Sequence, residues 1–159
     1  MRARDVADLF ASSVVRLPTL VVEDIHSAVL SKLLVNASIN TLSALGRCDC
    51  GELTASPGLR EALRTICAEV EAVAAALDPP VRLTTDAEAV LELYGGQYGL
   101  RSSMLQDLEA GRPLEHAAIV NAILEVGELA GRGAVKMPAL TMVGALLDQI
   151  SPPGSGSGR

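Results

Sequence analysis

Apolar positions recur along most of the chain at the three-to-four-residue spacing of helices. Val6, Leu9, Phe10 and Ser13 share one face, predicting a short amphipathic helix over 3–14. The β-branched run Val14-Val15-Arg16-Leu17-Pro18-Thr19-Leu20-Val21-Val22, broken by Pro18, reads as extended. Glu23-Asp24 places acids at the start of a long apolar segment, read as one helix from Asp24 to Gly46. A turn-rich link is expected over Arg47-Cys48-Asp49-Cys50-Gly51-Glu52-Leu53. Ser56-Pro57 then offers an N-cap followed by proline at the first helical position, opening a helix to about Leu77 that Asp78-Pro79-Pro80 stops.

Thr84-Thr85-Asp86 caps a helix running to Tyr94, where Gly95-Gly96 breaks it. Helical patterns follow from Ser102 to about Ala110, from Leu114 to about Ala130, and from Pro138 to Ile150. Gly111-Arg112-Pro113 and Gly131-Arg132-Gly133 separate them. The fold class read from this pattern is all-α. It divides into a connecting helix and extended segment (1–22), a helical domain (23–150) and a flexible tail (151–159).

The long apolar segment carries an unusual polar stripe. Lys32, Asn36 and Asn40 stand at i, i+4 and i+8, with Ser43 at i+11. At about 100° per residue the four fall within about 80° of one another on a regular helix. Asparagine is a poor helix former, so two of them one turn apart require either solvent or a polar cleft.

Composition narrows what such a stripe can serve. Nearly half of the 159 residues are apolar, yet the aromatic residues are only Phe10, Tyr94 and Tyr98, so the core is built of Leu, Val, Ile and Ala. The net charge of −6 and the scattered Lys and Arg leave no basic patch for nucleic acid. Cys48, Cys50 and Cys67, with His26 and His116, match no standard zinc spacing and read as reduced thiols of a cytoplasmic protein. The first fifteen residues lack the pattern of a secretion signal, and no apolar run of membrane-spanning length is free of polar interruption, so neither export nor a membrane is expected. Gly95-Gly96-Gln97-Tyr98-Gly99 follows a helix rather than a strand, which argues against a nucleotide loop.

Two segments together resemble the C-terminal domain of ketopantoate reductase (2-dehydropantoate 2-reductase), a fold akin to the C-terminal domains of 6-phosphogluconate-dehydrogenase-like enzymes. The first is Lys32-Leu-Leu-Val-Asn36-Ala-Ser-Ile-Asn40 with the later Cys50-Gly51-Glu52-Leu53. The second, about sixty residues on, is Ser102-Ser103-Met104-Leu105-Gln106-Asp107-Leu108-Glu109-Ala110-Gly111-Arg112-Pro113-Leu114-Glu115. The resemblance implies that Lys32 is the general acid on the keto oxygen and that Asn36 and Asn40 position substrate and lysine. It implies that Ser103 meets the substrate carboxylate and that Glu115, with Lys32 one of the catalytic pair, holds the substrate and the lysine's polar surroundings.

Ketone reduction needs a proton at the developing alkoxide, which an ammonium group supplies together with charge. The resemblance further implies NADPH as hydride source, a small 2-keto acid as substrate, and a place in pantothenate biosynthesis. Nothing in the sequence reads as the dinucleotide-binding Rossmann domain or as a cofactor site, so a Rossmann partner is expected, and activity from the chain alone is not. The apolar helices suggest a homodimer. The chain departs from the family at Leu30-Ser31, where a tryptophan is usual, at Thr41 in place of proline, and at Ala117, Val120 and Asn121 after Glu115. Non-redox proton transfer on a carbonyl compound, or a non-catalytic dimerisation or binding module, are the alternative functions.

Overall fold

The computed structural model describes residues 2–12, 19, 21–130 and 135–153, and these are helical without a strand. Helix α1 (Ala3–Ser12) buries none of its residues. The extended run expected over 14–22 lies largely outside the described residues, as do the Gly131–Gly133 link and most of the tail. Helix α2 (Ile25–Val35) starts at Asp24, whose carboxylate accepts the backbone N–H groups of His26 and Ser27 at 2.9 and 3.1 Å.

Helix α2 runs into a π-helical turn, Asn36–Asn40, and on into α3 (Thr41–Gly46). The long helix is therefore continuous over the expected span but not uniform. The left-handed residue at its end is Arg47 (φ 48°), one position after the glycine expected to stop it. With a mean hydropathy of 1.3, Ile25–Gly46 is long and apolar enough by length and composition to cross a membrane, although Lys32, Asn36 and Asn40 interrupt it. More than half of that window (56%) is buried within the protein, as in a core helix.

The link expected after Arg47 is instead partly helical. Helix α4 (Cys50–Ala55) opens with a reciprocal capping box, in which Asp49 Oδ1 accepts the Glu52 N–H at 2.8 Å and Glu52 Oε2 accepts the Asp49 N–H at 2.9 Å. The cap and the burial of Cys50, Gly51, Leu53 and Thr54 outweigh the low helix propensity of glycine here. Helix α5 (Pro57–Ala76) starts from the Ser56 cap and inserts Leu63, Ile66, Cys67, Val70, Val73 and Ala74 into the centre of the core. It touches α2, the π turn and α4, and then helices from the second half of the chain.

Those helices are α6 (Ala87–Tyr94), α7 (Ser103–Glu109), a second π turn (Ala117–Asn121) leading into α8 (Ala122–Leu129), and α9 (Pro138–Ile150). Met137 gives α9 no side-chain cap. Glu69 of α5 supplies one from across the core, its two carboxylate oxygens each 2.8 Å from the N–H groups of Ala139 and Leu140.

Candidate functional site

The first π turn decides which way the polar stripe faces. On a regular α-helix four residues advance about 400°, so each step of the stripe drifts by about 40°. A π turn closes i→i+5 bonds, holds more residues per turn, and so winds each residue through a smaller angle. Asn40 is thereby brought back towards the line of Lys32 and Asn36. Ser43 is carried past that line and into the core, where it is fully buried and its Oγ donates to the Cys48 carbonyl at 2.7 Å. The expectation that Ser43 belongs to the polar stripe is corrected by this underwinding.

Two hydroxyls bond back onto carbonyls at the turn. Ser38 Oγ donates to the Leu34 carbonyl at 2.8 Å, and Thr41 Oγ1 donates to the Ala37 carbonyl at 2.5 Å, both within the core.

The opposite wall is set by the 95–101 loop. The Cys50 N–H donates to the Leu100 carbonyl at 2.9 Å and the Gly51 N–H to the Gln97 carbonyl at 3.1 Å. The Gly99 N–H returns to Asp49 Oδ2 at 2.7 Å. Donation from the N–H groups of Glu52 and Gly99 holds the Asp49 carboxyl below its ordinary pKa. Gly51 makes this docking possible, since a Cβ there would stand 2.6 Å from the Tyr98 nitrogen.

The loop delivers Ser102 and Ser103 to the start of α7 in different roles. Ser102 is buried and its Oγ accepts the Leu105 N–H at 3.2 Å, so it is the helix cap. Ser103 is exposed and lines a cleft of about 290 Å3 together with Asn36 and Asn40. Ile39, Cys50, Tyr94, Leu100, Arg101 and Ser102 complete the lining. Three of the five expected site residues thus meet across one cleft.

Lys32 and Glu115 do not line it. Lys32 is exposed four residues, about 6 Å along the axis, before Asn36. Glu115 is exposed two residues before the second π turn, which packs against the first. Arg101, the charged residue of the lining, was not anticipated from sequence. Its only signal was its position directly before the serine pair. Arg101 Nη1 pairs with Glu109 Oε2 at 2.7 Å, an exposed contact that orients the guanidinium more than it stabilises the fold.

Burial pushes both Tyr94 and Cys50 above their ordinary pKa values, so neither supplies a negative charge to the cleft at neutral pH. Burial also raises Cys48, and it raises Cys67 to about 11. Among the described residues no group of three His, Cys, Asp or Glu side chains is placed to hold a metal ion.

Known proteins share this fold. Residues 24–151 match the family described as ketopantoate reductase PanE/ApbA C terminal. The chain is 33% identical over 129 residues to a 2-dehydropantoate 2-reductase of Mesorhizobium japonicum, covering 81% of this chain and 38% of that protein. A solved 2-dehydropantoate 2-reductase from Geobacter metallireducens superposes with a TM-score of 0.80 at 29% identity, over 93% of this chain and 48% of that one. A dimeric ketopantoate reductase from Staphylococcus aureus gives 0.74 at 26% identity, over 92% and 50%. The chain therefore spans half or less of the length of these relatives. On the match over residues 24–151, the chain belongs to the ketopantoate reductase C-terminal family.

Proposed function

We propose that this chain forms the substrate-binding and proton-donating half of an NADPH-dependent reductase of a small 2-keto acid, of the ketopantoate reductase type. The observation that supports it most is the meeting of Asn36, Asn40 and Ser103 across one cleft. Asn36 and Asn40 offer amide donors and acceptors to a keto and a hydroxyl oxygen. Ser103, freed from capping by Ser102, donates to the substrate carboxylate, and Arg101 supplies positive charge beside it. Lys32, on the stripe one turn away, protonates the alkoxide as it forms. Glu115 accepts from a substrate hydroxyl.

When bound, the nicotinamide cofactor supplies the hydride. The described residues contain no strand leading through a glycine loop into a helix, so they do not fit the dinucleotide and no step through it is assigned to them. A dinucleotide-binding domain is the partner proposed for that task. Ile25 and Val29 lie on the Lys32 face of α2 and are 58% and 49% exposed, which suits a face that another domain covers. A homodimer, in the cytoplasm, is proposed as the working state.

The test is a nicotinamide absorbance assay with ketopantoate and NADPH, on the chain mixed with the dinucleotide-binding domain of a related reductase. Turnover in the mixture that falls by roughly 10²- to 10⁴-fold on Lys32→Ala is the expected result. Turnover that Lys32→Ala leaves intact would overturn the assignment.

A further inference from the structure

We propose that His116, Asp148 and Ser151 clamp the Glu115 segment onto the C-terminal end of α9, making that end the device that positions the Glu115 carboxylate. The inference rests on the reading of Glu115 as a substrate-holding residue. Glu115 is exposed and makes no hydrogen bond or ion pair of its own side chain among the described residues. Its side chain is therefore aimed by its backbone alone, and both neighbouring residues are fastened to the same helix end. On one side the Leu114 N–H donates to Ser151 Oγ at 3.1 Å, while the Leu114 side chain is buried. On the other, the His116 ring is buried and its Nε2 lies 2.8 Å from Asp148 Oδ1.

The tautomer follows from what surrounds the ring. His116 Nδ1 is buried without a partner. A proton there would be a buried donor with no acceptor, costing about 1–3 kcal/mol. Placing the proton on Nε2, donated to Asp148, avoids that cost. The Ala118 N–H, bonded to the Glu115 carbonyl at 3.1 Å, carries the held geometry into the second π turn.

Energetics separate a clamp from an ordinary structural contact. The Asp148 side chain is 63% exposed, so truncating it opens the His116 ring nitrogen to water, which limits the loss of stability. Removing the Asp148 and Ser151 acceptors should leave the fold standing and release only the segment from Leu114 to His116. His116, Asp148 and Ser151 are positioning residues in this account, acting through Glu115.

The experiment compares the wild-type chain with Asp148→Ala/Ser151→Ala and with Asp148→Asn, which keeps a side-chain oxygen acceptor for Nε2–H. Amide exchange and backbone order at Glu115 and Ala118 are read by NMR, beside the thermal midpoint. The expected result is exchange at Ala118 about tenfold faster in the double variant, with lower order at Glu115, a thermal midpoint lowered by no more than about 2–4 °C as the His116 ring N–H turns to solvent, and wild-type behaviour restored in Asp148→Asn. An unchanged Glu115 and Ala118 in the double variant overturns the proposal. So does a larger fall in midpoint with faster exchange throughout α9, which would make the contacts merely structural.

In the mixture with a dinucleotide-binding domain, KM for ketopantoate should rise about tenfold at constant kcat, equivalent to about 1.4 kcal/mol of binding. A loosened Glu115 with an unchanged KM would sink the substrate-holding role of Glu115 and leave the clamp standing, so the two failures are distinguishable.

Discussion

The two π turns are the same backbone device put to different uses. Asn36–Asn40 carries asparagines at both ends, lines the cleft, and has the hydroxyls of Ser38 and Thr41 bonded back onto the Leu34 and Ala37 carbonyls. Ala117–Asn121 has an alanine where the first turn has its leading asparagine, buries Ile119 and Val120, and carries no such hydroxyl. It is pressed from outside by α9, where Gly144 comes close to Val120. The two turns pack on each other. The contrast teaches that the π geometry alone does not make a site. What matters is which side chains the underwinding returns to one line, and whether hydroxyls brace the turn from within.

The largest expected effect comes from the residues that close the two turns. Asn40→Ala should lower kcat/KM for ketopantoate by about 100-fold, because misplacing a bound substrate by about 1 Å is enough for that loss. Asn121→Ala, at the matching position of the second turn and exposed, should stay within about twofold by the same reasoning. Steady-state kinetics of the two variants side by side, each mixed with a dinucleotide-binding domain of a related reductase, would break the comparison if both fell equally.

A smaller effect separates the turns in stability. Thr41→Val keeps the shape of the side chain but leaves the buried Ala37 carbonyl without its hydroxyl donor, a loss of about 1–3 kcal/mol in urea unfolding. Gly144→Ala on the outer brace should be close to neutral. Its new Cβ would meet Val120 Cγ1 at 3.2 Å, and the overpacking is opposed by a helix-propensity gain of up to about 1 kcal/mol. Equal losses in both variants would mean that the turns are held in the same way.

The smallest effect concerns the thiol beneath the first turn. Burial raises Cys67 to about 11, with a hydrogen bond to Ser38 opposing the shift. An acid whose folded pKa is raised is protonated more fully in the folded chain than in the unfolded one. It therefore costs no stability below the ordinary thiol range and lowers stability as pH rises from that range towards 11. The urea midpoint should decline over that interval, less so in Cys67→Ala after correction for the core cavity. At pH 8 an alkylating reagent should reach the half-buried Cys48 before Cys67. Modification of native Cys67 first would contradict its placement.

Helices built on regular periodicity were readable from sequence. Helix α5 announces itself through Ser56-Pro57 at one end, Asp78-Pro79-Pro80 beyond the other, and an unbroken apolar face between. The π turns were not readable, because an i→i+5 closure is selected by packing between elements and local propensity carries no sign of it. Ser43 was misplaced for that reason. Helix α4 did have a local signal, Asp49 three residues before Glu52, but Gly51 and the neighbouring cysteines made the stretch read as a turn.

In the cleft, Asn36, Asn40 and Ser103 could be named from the stripe and the resemblance. Choosing Ser103 over Ser102 by structure required seeing which hydroxyl caps α7. Arg101 was missed because its place depends on the docking of Gln97 and Leu100 onto α4, a long-range contact with no periodicity.

The most direct test of the central claim, that the stripe and Ser103 form one substrate site, is an NMR titration of the chain with ketopantoate. The side-chain amides of Asn36 and Asn40 and the backbone amide of Ser103 would be followed. The account predicts that these signals shift together, with a common saturation curve, and that Asn121 does not move. Shifts confined to the separate cleft of about 430 Å3 lined by Gly95, Gly96 and Tyr98, or shifts at Ser103 without the asparagines, would contradict it.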